Sequence, residues 1–127
     1  MSLHGALYDY LEAEIDGLGY MGPLPLPQSP SLPALTITQI SAPRAYTMDS
    51  REVGLIDERT QIDVWGSSLA SVNTVKGAVI DLLSGYKGAL GGVVIEASIV
   101  NNEFPRGIEP ETGLRGHIID MTISWRA

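Results

Sequence analysis

The chain has 127 residues, 44% of them hydrophobic, no cysteine, and a formal net charge of −7 from 15 acidic and 8 basic side chains. That length can bury a core without staples, and that hydrophobic content excludes a disordered chain. The missing cysteines exclude disulfides and thiolate metal sites, and the acidic balance argues against a surface that grips nucleic acid.

The first residues, MSLHGALYDYLEAEI, lack the basic and long apolar regions of a signal peptide. No stretch approaches the roughly 18 apolar residues of a membrane span. A soluble single domain over 1–127 is expected, in a reducing cytoplasm or in a particle assembled there. Leu3, Leu7, Tyr10, Leu11 and Ile15 recur at helical spacing, Ser2 can cap the start, and Gly17 and Gly19 stop the pattern. The spacing predicts a helix over 3–15 with an apolar face and an acidic face of Asp9, Glu12, Glu14 and Asp16. Residues 20–33 hold five prolines, which forbid a helix interior or a central strand. They should run extended over the surface or along a sheet edge, as a stiff connector or as a contact arm.

ALTITQIS (34–41) reads as a strand, with Leu35 and Ile37 on one face. Residues 42–57 read as a long polar loop. ERTQIDVW (58–65) alternates, with Ile62 and Val64 on one face and Arg59, Gln61 and Asp63 on the other. Gly66-Ser67-Ser68 then opens a helix whose apolar face is Leu69, Val72, Val75, Val79, Leu82 and Leu83, and Gly85 stops it. Residues 93–101 form a third strand with Val93, Ile95, Ala97 and Ile99 on one face. Residues 102–113 read as a second long loop. Residues 115–125 form a fourth strand, with His117, Ile119, Met121, Ile123 and Trp125 sharing one face. The expected fold class is α+β, in the order α-β-β-α-β-β, with helices packed on one face of an antiparallel or mixed four-stranded sheet.

No catalytic, cofactor or metal site is expected. Gly66-Ser67-Ser68-Leu69-Ala70 approximates a nucleophile elbow, as in a small serine esterase, but the second small residue is alanine and serine is also a preferred helix cap. His4 and His117 are the only histidines and lack ligand spacing. The glycines of GYKGALGG (85–92) follow a helix and precede a strand, the reverse of a phosphate-cradling loop. Glu103, Glu109 and Glu111 do not have the spacing of a twelve-residue calcium loop. Trp65 and Trp125 end their strands and read as core or sheet-edge packing. Tyr46, Met48 and Arg51 in the first long loop, and Arg106, Glu109 and Glu111 in the second, are candidates for contacts between subunits.

Several segments in this order carry a resemblance. They are LHGALYDYL, then LPALTITQIS after a proline-rich stretch, then QIDVWGSSLASVNTVKGAVIDLL, then YKGALGG, and finally EPETGLRGHIIDMTISW. Together they resemble the small tail-completion or tail-terminator proteins of long-tailed phages and related gene transfer agents. The resemblance covers nearly the whole chain, and Glu111-Thr112-Gly113 is its most recognisable piece. It implies a non-enzymatic virion protein, assembled in the host cytoplasm as a ring of typically six copies at the head-proximal end of the tail tube. Such a ring stops tube growth and meets a head connector or neck protein, while DNA passes through its lumen without tight binding. A neck adaptor or a tube subunit of the same apparatus is the alternative.

Overall fold

The computed structural model describes residues 3–46, 48, 52–110 and 112–127. Helix α1 (Leu3–Glu14) buries Leu3, Ala6, Leu7 and Leu11, one stripe at helical spacing, and leaves Asp9, Glu12 and Glu14 exposed. Strands β1 (Met21–Gly22), β2 (Ala34–Ser41), β3 (Arg44–Tyr46) and β4 (Glu52–Gly66) follow before helix α2 (Leu69–Leu83). Strands β5 (Gly88–Leu90), β6 (Val93–Ile108) and β7 (Arg115–Arg126) complete the order. Ser68 caps α2, its side chain accepting from the Ser71 amide at 3.2 Å, so the serine of the elbow-like motif does a helix cap's work. Gly85 follows the helix at φ +74°.

The sheet corrects the expectation of an α+β domain with four strands in the order α-β-β-α-β-β: the chain is mostly β, with two helices among the described residues. Seven strands pair in the order β1-β2-β4-β7-β6-β5, with β3 beside β4, and curl like half of a barrel. The β1–β2 pair is parallel and every other pair antiparallel. Of the three added strands, β1 lies in the proline-rich segment, β3 in the first expected loop and β5 in the expected glycine turn, and both expected loops also lengthen neighbouring strands. Residues 44–46 and 52–57 form a hairpin that extends β4 backward, and residues 102–108 continue β6 alongside β7. Alternation betrays a strand only where one face is buried, and every residue from Asn101 to Ile108 is exposed.

Leu7, Leu11, Val72, Val79 and Leu83 from the helices meet Leu35, Ile62, Val64, Ile95, Ile119, Met121 and Ile123 from the sheet in one buried cluster. That inner face contains His117, as expected for strand four. It does not contain Ala97 and Ile99. The register shifts between Ile95 and Ala97, so Ser98 turns inward opposite Ile123 while Ile99 faces outward opposite Thr122, 57% exposed. Leu69, assigned from its spacing to the apolar face of α2, is exposed as well.

The proline-rich segment lies along the sheet edge through β1 and also folds over the outer face at one end. Tyr20, Leu24, Leu26 and Leu32 pack there on a second cluster of Ala34, Trp65 and Leu114. The Gly19 amide donates to the Pro33 carbonyl (2.7 Å) and the Tyr20 amide to the Ser31 carbonyl (2.8 Å), closing the base of the arm. Gly19 permits this approach, because a Cβ there would lie 2.2 Å from the Ser31 carbonyl oxygen.

Candidate functional site

The arm and the outer face enclose a groove of about 380 Å³, walled by Leu24, Pro25, Leu26 and Leu114, with Trp65 and Arg106 also lining it. Its floor follows from parity. Asp63 and Trp65 point to the outer face of β4 because Ile62 and Val64 point to the core. Both are buried, as the arm and Arg106 cover that end of the face. The Trp65 indole donates from Nε1 to Thr36 Oγ1 on β2 at 3.2 Å.

Arg106 reaches Trp65 across β7. The strand between them carries Gly116, and a Cβ at that position would lie 3.1 Å from Arg106 Cβ and Cδ and 3.4 Å from Trp65 Cε3. The guanidinium sits 4.8 Å from the indole centroid and 3.6 Å from the Asp63 carboxylate. Burial pushes the Asp63 carboxyl above the usual range, while Arg106, Gln61 and Thr36 pull it back. Beside the groove, the Glu109 amide donates to the Leu114 carbonyl (2.8 Å) and the Gly113 amide to the Glu109 carbonyl (2.7 Å). Gly113 takes φ +71° to close this turn.

Of the six residues expected at subunit contacts, Arg51 and Glu111 lie outside the described residues. Arg106 and Glu109 both line the groove, although Arg106 is on a strand and not in a loop. Tyr46 and Met48 sit at the β3–β4 tip, at the opposite end of β4, with Tyr46 59% exposed and Met48 fully so. Asp63, Gly116, Leu24, Leu26 and Leu114 were not singled out in the sequence. Parity was the available signal. In ERTQIDVW, Trp65 falls on the polar face, and a tryptophan there marks a stretch of that face that something covers.

The histidines are far from each other and each has a carboxylate partner. His4 Nε2 lies 2.7 Å from Glu58 Oε2, and Thr60 and Gln39 also donate to that buried glutamate. His117 Nε2 lies 3.0 Å from Glu103 Oε1, which also accepts from Lys76 Nζ at 3.0 Å. The Lys76 hydrogen bond, assisted by His117, holds the Glu103 carboxyl below its usual range. Among the described residues no group of three or more His, Cys, Asp or Glu side chains is arranged to hold a metal ion, and no helix is long and apolar enough to cross a membrane.

No family model and no curated protein matches the sequence. Among solved structures, the chain superposes on a chain of the virion of a native gene transfer agent particle. The TM-score is 0.72 at 15% identity, over 99% of this chain and 96% of that one. At that identity the likeness is one of fold.

Proposed function

We propose that this chain is a non-enzymatic structural subunit of a phage-type virion. In this reading, copies form a ring, six in number, at the head-proximal end of a tail tube, where the ring ends tube growth and joins the tube to a head connector. The observation that carries the reading is the end-to-end correspondence with a chain of a gene transfer agent virion, with almost nothing left over on either side. The order of sequence segments that resembles tail terminators supports the finer role. The fold suits assembly, since hairpin tips project from opposite ends of its central strands and the outer edge of β6 beyond Ser98 has no strand partner among the described residues.

Removing the chain from a particle-producing strain tests this. Tubes of unregulated length and detached, filled heads are expected in electron micrographs. Labelling the chain in intact particles should mark one position at the neck. Labels along the whole tube would identify a tube subunit, and normal particles lacking the chain would end the structural reading.

A further inference from the structure

We infer that, in the proposed ring, Tyr46 and Met48 at the β3–β4 tip of one copy seat in the outer-face groove of the next copy. This rests on the ring reading and specifies which surfaces close it. The tip projects beyond the Ile56–Trp125 pair, whereas the groove lies at the Trp65–Gly116 pair. Nine residues of extended β4 separate Ile56 from Trp65, roughly 30 Å at strand spacing. A tip cannot reach its own groove, so it can fill only that of another copy. Two different patches then meet, which makes a head-to-tail contact that closes into a ring if the rotation allows.

The chemistry of the two patches matches. Met48 is fully exposed and Tyr46 largely so, at a cost in water, while the groove offers Leu24, Leu26, Leu114 and Trp65. A flexible thioether fits an irregular apolar slot and makes favourable contacts at an indole edge. Arg44 on β3 and Glu109 in the groove lining also carry opposite charges. The groove, at about 380 Å³, has room for side chains of this size.

The chain has no cysteine, so single-cysteine variants report contacts cleanly. Met48→Cys and Gln28→Cys, the latter at the groove, are mixed under conditions that give rings and treated with a short bismaleimide. The mixture should yield a covalent dimer that neither variant yields alone, and the double variant should yield a ladder ending at the ring number. Met48→Cys with Asp81→Cys, exposed on α2, should give no dimer. Met48→Glu, which sets an acid against Glu109, should abolish rings without changing the circular dichroism of the subunit. Rings by electron microscopy with no 48–28 product would overturn this contact and leave the ring reading standing. Failure of the unmodified chain to form rings, alone or on tube ends, would overturn both.

Discussion

The buried Asp63 carboxylate lies 3.6 Å from the Arg106 guanidinium, and the same guanidinium covers the Trp65 indole. One arginine on β6 thus compensates a charge and caps a ring that both belong to β4. Arg106→Ala should cost about 2 kcal/mol near pH 7, because a desolvated carboxylate loses its cation while a partly exposed arginine limits the loss. Burial raises the Asp63 carboxyl, so the folded chain holds that proton more tightly than the unfolded one, whose value is about 3.9. Asp63 therefore supports the fold best below that value, and its contribution falls as pH rises toward the raised folded value. Urea titrations should show Asp63→Asn gaining on the parent chain from about pH 3 to 7. A gain of the opposite sign would mean that Arg106 outweighs burial.

Gly19→Ala should release the proline-rich arm. The new methyl group would meet backbone at Ser31, which cannot rotate away. A destabilisation of about 2 kcal/mol or more is expected, in the range of overpacked sites. Faster proteolysis within 20–33 and a red-shifted Trp65 emission, read in a Trp125→Phe background, should accompany it.

His117→Ala should destabilise the chain by about 1–2 kcal/mol in denaturant titrations, since it empties a buried site between strands. Its partner behaves differently with pH. The Glu103 carboxyl is depressed by Lys76 and then His117, so its contribution is present above the unfolded value of about 4.3 and is lost as pH falls through the folded one. Glu103→Gln should cost under about 1 kcal/mol near neutrality, given the exposure of the pair, and nothing in strong acid.

Ser68→Ala should lose a helix cap, about 1 kcal/mol in thermal or chemical unfolding. Ring assembly should be unchanged, and esterase substrates should be turned over by neither form. Hydrolysis abolished by this substitution would reopen the nucleophile reading.

Duplex DNA should bind weakly near physiological salt. Arg59 is paired with Asp120, Arg106 with Asp63, Arg126 with Glu96 and Lys76 with Glu103, so at least four of the eight basic side chains face an acid of their own chain. Few are left to displace counterions from phosphates. Fluorescence anisotropy showing micromolar or tighter binding that fades steeply with salt would contradict this.

Both helices and the inner face of the sheet were legible in the sequence, because Leu7, Val72, Ile62, Ile119 and their neighbours repeat at the period of the element that buries them. Three features were not. The far half of β6, Asn101 to Ile108, has no buried face to enforce alternation, and in β4 Leu55, Ile56 and Asp57 are only half-buried. The bulge after Ile95 moves Ile99 to the opposite face without any mark in the residue pattern. The groove joins Leu24, Trp65, Arg106 and Leu114, which lie far apart along the chain. The local signs are the tryptophan on the polar face of ERTQIDVW and the missing side chain at Gly116, where Arg106 crosses.

The β4–β7 ladder runs unshifted from Ile56–Trp125 to Gly66–Arg115, with the two hairpin tips at its opposite ends. A pull applied between those tips therefore acts along the strands and across all of the rungs at once. Rungs loaded together in shear yield at much higher force than rungs peeled one after another. The subunit is thus stiffest along the axis that joins its two tips, and tension along that axis should break contacts between copies before it unravels a copy.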